Sequence, residues 1–174
     1  MNNILGQVLT FISYLIFWLS RFKKEKKNIL LYDCFSRIFA ILAFFFLKSY
    51  AGIKNTLYVI VENIIGRKII NKPKKYKIIV FLIMVIILLL LYIFELNRYD
   101  VLCLIICSLI SLYGVLLLSP QGIRIAGIIA SLFYILFLIL IHNYIGVVCE
   151  IICIIITLCS FIKYYKEDKK LLTK

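Results

Sequence analysis

The unbroken apolar run Ile78–Phe94 constrains this chain more than any other stretch of its sequence. The run contains no charge, no amide and no glycine, and its only hydroxyl is the phenol of Tyr92. As an α-helix it is about 26 Å long, at about 1.5 Å per residue, which is close to the thickness of a bilayer's hydrocarbon core. A helix that is apolar on every side can face lipid over most of its surface. The run therefore predicts a membrane-spanning helix.

The composition extends this prediction to the whole chain. Of its 174 residues, 64% are hydrophobic and 17% are charged, which is far from the average for soluble domains. Three long apolar segments precede the central run and three follow it, and none alternates as β-barrel strands do. We predict an all-α membrane protein with seven transmembrane helices, at Ile4–Ser20, Asn28–Leu47, Ala51–Ile70, Ile78–Phe94, Val101–Ser119, Ile123–Ile141 and Tyr144–Ile162. The first segment ends in lysines rather than a cleavage site, so we expect it to be retained.

Basic residues alternate strongly between successive loops. The first, third and fifth loops and the C-terminal tail hold five, six, one and five of them, whereas the other loops hold only Lys48, Lys54 and Arg98. This bias predicts an outside N-terminus and a cytoplasmic C-terminus. Because the net charge of +13 is concentrated in short loops, we expect contacts with anionic lipid headgroups and no nucleic-acid binding.

A faint internal repeat relates the two halves of the chain. A shift of 94 residues aligns KSYAG with HNYIG, and so places Tyr50 on Tyr144 and Gly52 on Gly146. Two successive three-helix units would enter the membrane in opposite senses, and one extra helix between them restores the same sense. We therefore predict a 3+1+3 parallel repeat of three-helix bundles. Its parts are residues 1–70, a linker helix in 71–98, a second bundle in 99–166 and a cytoplasmic tail in 167–174.

Four short stretches carry a likeness to a known family. They are Arg21–Tyr32 (RFKKEKKNILLY), Ser49–Lys54 (SYAGIK), Gly66–Arg67, and a last helix with Glu150 leading to Phe161–Lys166 (FIKYYK). With the 3+1+3 plan, the chain resembles the SWEET/PQ-loop (MtN3-like) transporter superfamily and is most similar to its YgjV-type family of bacterial inner-membrane proteins. The resemblance implies a multi-pass protein of the bacterial cytoplasmic (inner) membrane with a SWEET-like fold.

Ionisable side chains inside the spans are the strongest functional signal, because each costs about 2.5–3.5 kcal/mol at the bilayer centre. Asp33 and Arg37 lie one turn apart on the second helix. They predict either a neutralising intrahelical salt bridge or an inner gate at the mouth of a cavity. Glu62, with Asn63 beside it, falls near mid-membrane, and Arg37 is its candidate partner. Without a partner, Glu62 is expected to be protonated, either as a silent hydrogen-bonding group or as a proton-coupling site.

The last helix carries a polar seam that begins at Glu150 and continues through Cys153, Thr157 and Ser160 at helical spacing. Such a seam is typical both of a central path and of simple helix packing in lipid. For the first alternative, the predicted substrate or proton path comprises Glu62, Asn63, Glu150 and Thr157.

Two cysteine pairs, Cys103 with Cys107 and Cys149 with Cys153, each lie one turn apart. Four converging thiolates would favour a soft metal ion such as Cu(I) or Zn(II). Cysteine is also a common small residue in apolar helices, and no Cys-x-x-Cys motif is present. We therefore predict no metal or other cofactor and keep the four thiols as weak candidates.

No phosphate-binding glycine loop, His-Glu-x-x-His or Gly-x-Ser-x-Gly motif occurs, so we do not expect an enzyme. Our leading hypothesis is a small-solute transporter that works by alternating access between the two bundles. Because Asp33, Glu62 and Glu150 outnumber Arg37 within the spans, we expect a neutral or cationic solute, or proton coupling. The rival hypotheses are a non-transporting assembly, sensor or scaffold protein and a soft-metal-binding protein. The solute is unknown, and a homo-oligomer is left open.

Overall fold

The computed structural model describes residues 2–172, with side chains for residues 4–166. Within this range the chain forms seven α-helices joined by short loops. The predicted all-helical fold is confirmed, and most helix ends lie within a few residues of the predicted spans. The helices are α1 (Asn2–Arg21), α2 (Lys26–Phe46), α3 (Tyr50–Lys68), α4 (Lys74–Tyr92), α5 (Tyr99–Leu117), α6 (Pro120–Leu140) and α7 (Tyr144–Leu172).

By length and composition, six of the helices described are able to cross a membrane, and α3 is the exception. Its sequence includes Lys54, Asn55, Glu62 and Asn63, which lower its mean hydropathy. Three of these four side chains are buried, and Lys54 is partly buried. The polar residues of α3 therefore lie mainly inside the helix assembly rather than on its outer surface.

Six helices form a closed ring. Each of α1, α2, α3, α5, α6 and α7 packs against the next in that order, and α7 packs against α1. Helix α4 lies outside the ring against α5 and α3. Only Met84, Leu88 and Tyr92 of α4 are buried, which fits a helix that is apolar on every side. The central run of the sequence is thus a peripheral helix.

Polar contacts at two levels fix α4 against α3. The phenol of Tyr58 donates to the backbone carbonyl of Met84 (3.1 Å), and the phenol of Tyr92 donates to that of Ala51 (3.1 Å). Beyond the end of α4, Lys54 forms an ion pair with Glu95. Because a buried tyrosine hydroxyl needs a partner, these bonds also set the rotation of α4 on its neighbour.

The loop before α3 and the loop before α7 have the same backbone geometry, 94 residues apart. Lys48 (φ 56°) and His142 (φ 57°) are the only non-glycine residues with positive φ in the described chain. The N–H of the next residue bonds the carbonyl of Phe44 (3.0 Å) in the first loop and of Leu138 (2.9 Å) in the second. A left-handed residue closed by such a bond is a common helix C-terminus.

The same two loops also begin the following helices alike. Ser49 Oγ accepts a hydrogen bond from the N–H of Gly52 (3.3 Å), and Asn143 Oδ1 accepts one from the N–H of Gly146 (3.0 Å). Serine and asparagine are favoured N-cap residues because their side chains satisfy a free N–H of the first turn. The aligned strings KSYAG and HNYIG therefore specify one local structure twice.

Candidate functional site

A cavity of about 90 Å³ lies inside the ring of six helices. All six ring helices contribute to its wall and α4 contributes nothing. The volume is enough for several water molecules, since a water needs roughly 10–15 Å³ on this measure. Four charged side chains line the wall, together with several serine, asparagine and tyrosine residues. The charged ones are Arg21, Asp33, Arg37 and Glu150.

Glu150 joins three helices at the cavity wall. Its Oε2 accepts a hydrogen bond from the phenol of Tyr14 in α1 (2.5 Å), and its Oε1 accepts one from the hydroxyl of Ser131 in α6. The side chain is buried in α7. Both carboxyl oxygens are therefore engaged, which lowers the cost of burying this group between helices.

Asp33 pairs with Arg21 rather than with Arg37. Arg21 Nη2 lies 4.0 Å from Asp33 Oδ2, and its guanidinium carbon lies 4.1 Å from the centre of the Phe17 ring. Among the described residues no ion pair joins Asp33 to Arg37, so the predicted intrahelical salt bridge does not form. The short loop between α1 and α2 places the last turn of α1 beside the first turns of α2, and this brings Arg21 opposite Asp33.

Arg37 is left without a carboxylate partner within 4.0 Å in the described part of the chain, although it faces the cavity. Its guanidinium carbon lies 5.4 Å from the centre of the Phe17 ring, and its Nε has no hydrogen-bond partner. Asp33 and Glu150 are within electrostatic range. A cation over an aromatic face is stabilised, but the free N–H remains unsatisfied.

Hydrogen bonds between side chains connect α3 with α5. Ser108 donates to Asn55 Oδ1 (2.6 Å), and Ser111 donates to Glu62 Oε1 (2.9 Å). Glu62 is fully buried behind the cavity wall, and its Oε2 has no partner. The neighbouring Asn63 lines the cavity, is 2% exposed, and has a free Nδ2.

The predicted path residues thus separate into two groups. Asn63 and Glu150 reach the cavity, whereas Glu62 and Thr157 do not line it. Thr157 turns back on its own helix, where its hydroxyl donates to the carbonyl of Cys153 (2.7 Å). Both residues of the predicted inner gate, Asp33 and Arg37, line the cavity.

The four candidate thiols do not meet. Among the described residues, no group of three or more His, Cys, Asp or Glu side chains is placed to hold a metal ion. Cys107 lines the cavity, Cys149 and Cys153 pack in a cluster with Tyr14, and Cys103 lies against the main core. The four thiols are therefore divided among three different surroundings.

One face of α1 lines the cavity, which was not predicted from the sequence. Thr10, Tyr14, Phe17 and Arg21 all line the cavity, and their spacings of four, three and four residues follow one side of a helix. That periodicity is visible in the sequence, but Arg21 directly precedes the basic loop, and its charge fits a loop as well as a helix face. With Arg21 included, the wall carries two cations and two carboxylates rather than an excess of carboxylates.

The fold and the cavity define a polytopic α-helical membrane protein with a polar interior site. The family model of Imp-YgjV, described as a bacterial inner membrane protein, matches residues 4–168. The chain therefore belongs to this family, which confirms the YgjV-type resemblance and the membrane localisation at the level of the family. No curated protein and no solved structure matches the chain significantly.

Proposed function

We propose that this chain is a small-solute transporter of the SWEET-like 3+1+3 type. In this proposal α1–α3 and α5–α7 are the two moving bundles, α4 is the linker, and the solute binds in the central cavity. Alternating access requires a site at the interface of two repeats, reached in turn from each side of the membrane. The cavity lies between the two sets of helices and has walls from both.

Equivalent positions of the two bundles line this cavity, which supports the parallel repeat. Five wall positions in α2 recur in α6 at the spacing of 94 residues that relates the two loops. The contacts between bundles have the same symmetry, since α3 meets α5 where α7 meets α1. The α2 positions are Asp33, Ser36, Arg37, Ala40 and Phe44, and their α6 equivalents are Gly127, Ala130, Ser131, Tyr134 and Leu138.

The single observation that carries the proposal is the set of four buried or partly buried charged side chains around a cavity that admits water. Charges inside a membrane protein are expensive and commonly mark substrate or ion pathways. For helix packing alone, apolar residues of similar volume are often as stabilising as a buried ion pair. A solute site gives these side chains a role that packing does not.

Glu62 is the proposed proton-coupling residue. It is fully buried, its Oε2 is unpartnered, and Ser111, which bonds its Oε1, lines the cavity. A buried carboxyl with one free oxygen and no ion-pair partner is most cheaply accommodated with a proton. In this proposal a proton passes between water or solute in the cavity and the Glu62 carboxyl by way of the Ser111 hydroxyl.

Uptake into proteoliposomes tests the transport proposal. The purified full-length chain is reconstituted in phosphatidylethanolamine–phosphatidylglycerol vesicles and offered radiolabelled polyols, sugars, amino acids and hydroxy acids. We expect saturable uptake of at least one class above protein-free vesicles, with loss in Glu150→Gln and retention in Arg98→Gln, which changes an exposed loop residue. Uptake of no class above protein-free vesicles contradicts transport and favours an assembly, sensor or scaffold role.

A further inference from the structure

We propose that the solute of this cavity carries a carboxylate group, which the guanidinium of Arg37 and the side-chain amide of Asn63 bind. This inference rests on the proposed transport function and names the chemical class of its substrate. It starts from the polar groups at the cavity wall that the described protein leaves unsatisfied.

The two acidic groups of the wall already have protein partners. Both oxygens of Glu150 accept hydrogen bonds, and Asp33 is paired with Arg21. The hydrogen bonds of Glu150 reach Tyr14 and Ser131, which belong to different helices, so the carboxylate acts as a junction of the ring. A cationic solute would have to displace Tyr14 or Ser131 before it could bind Glu150.

Among the described wall residues, three of the four buried polar atoms without a hydrogen-bond partner are donors: Arg21 Nε, Arg37 Nε and Asn63 Nδ2. Arg37 Nε and Asn63 Nδ2 have no hydrogen-bond partner, although both residues line the cavity. Asn63 is 2% exposed, so bulk solvent does not satisfy its amide. A buried donor without an acceptor is costly, and an arginine with no carboxylate within 4.0 Å carries a charge that favours an anionic acceptor. A carboxylate supplies two acceptor oxygens and the negative charge together.

A second wall atom indicates what else the solute carries. Asp33 Oδ1 is buried without a partner, in contrast to Oδ2, which faces Arg21. It can accept a hydrogen bond from a hydroxyl or an ammonium group on the same solute. Because the cavity measures about 90 Å³, the solute has few heavy atoms in this conformation. A short hydroxy acid and a short amino acid both meet these requirements.

Binding to the purified full-length chain in detergent tests the proposal by calorimetry. The probes are L-lactate and L-alanine, their amides L-lactamide and L-alaninamide, and glycerol as a neutral solute. We expect at least one acid to bind saturably, its amide to bind at least about tenfold more weakly, and the preferred acid to show whether Asp33 receives a hydroxyl or an ammonium. Equal binding of acid and amide, or binding of glycerol alone, overturns the proposal.

Variants of Arg37 and Asn63 test whether these two side chains bind the carboxylate. Arg37→Gln and Asn63→Leu are each expected to weaken binding of the acid about tenfold or more, while Arg37→Lys retains part of the affinity because it keeps the charge. Arg67→Gln is the matched control, since Arg67 is on α3 but does not line the cavity. Unchanged affinity in both Arg37→Gln and Asn63→Leu overturns the assignment of these residues.

The uptake assay separates the two levels of inference. Uptake of polyols or sugars without uptake of either acid leaves transport standing and removes the carboxylate proposal. Uptake of no solute class, with no calorimetric binding of any probe, removes both. Each variant is first compared with the parent chain by gel filtration, so that a loss of binding is scored only for a monodisperse protein.

Discussion

The phenol of Tyr14 in α1 donates a 2.5 Å hydrogen bond to the carboxylate of Glu150 in α7. The two residues are 136 positions apart in sequence, and their bond joins the first and last helices of the ring. It also holds one oxygen of Glu150 at the cavity wall. A single hydrogen bond therefore connects the architecture of the chain with its candidate site.

Tyr14→Phe is expected to destabilise the chain while leaving its volume almost unchanged. Loss of the hydroxyl leaves an oxygen of Glu150 unsatisfied, which costs between about 0.6 kcal/mol, the mean for hydrogen bonds inside membrane proteins, and about 3 kcal/mol. The measurement is the free energy of unfolding in mixed detergent micelles. Tyr113→Phe is the control because Tyr113 is half exposed. Equal stability of the two variants would remove the proposed role of this bond.

The two left-handed loop residues provide a test of the repeat. Lys48→Gly and His142→Gly should each stabilise the chain by about 0.5–1 kcal/mol, since glycine accepts positive φ without the steric cost that other residues incur. The gains should be alike because the loops share one geometry. Lys72→Gly, at a position without positive φ, should be neutral or slightly destabilising. Thermal unfolding with a thiol-reactive dye gives the comparison, and destabilisation by both loop glycines would contradict it.

Glu62→Gln should abolish the pH dependence of solute uptake. Glutamine keeps an oxygen that accepts from Ser111 but cannot exchange a proton, so the fold is retained and coupling is lost. Uptake is measured in proteoliposomes across a range of external pH, with Glu95→Gln, outside the helices, as the control. Uptake that depends on pH as in the parent chain would exclude Glu62 as the coupling residue.

The ends of the chain should lie on opposite sides of the membrane, with the C-terminus in the cytoplasm. The bias of basic residues among the loops predicts this orientation, and opposite ends follow if all seven helices, including the more polar α3, cross the membrane. Reporter fusions active on only one side of the membrane, attached at each end in turn, make the measurement. Two ends on the same side would contradict the parallel arrangement of α1–α3 and α5–α7.

Local patterns in the sequence predicted the helices well. A long apolar segment between basic loops can satisfy its backbone inside lipid only as a helix or in a closed barrel, so seven such segments leave little choice. The aligned strings KSYAG and HNYIG also marked the two loops, around Lys48 and His142, that share one backbone geometry. These features depend on neighbours in sequence, which the sequence displays directly.

The partners of charged residues were harder to predict because packing between helices selects them. Asp33 and Arg37 are one turn apart, yet Asp33 pairs with Arg21 from the preceding helix. Likewise, Glu150 is bonded to Tyr14 and Ser131, neither of which is near it in sequence. Spacing gives the face of a helix on which a residue lies. It does not give the rotation of that helix against its neighbours.

The most direct test of a two-sided cavity is the side-resolved labelling of Cys107, a native cysteine at the cavity wall. A variant that retains Cys107 alone is treated with a membrane-impermeant methanethiosulfonate in right-side-out and inside-out vesicles. A variant that retains only Cys34, which is similarly half-buried but does not line the cavity, is the control. We expect Cys107 to react from both sides and Cys34 from neither. Reaction of Cys107 from one side only, or from neither, would contradict alternating access.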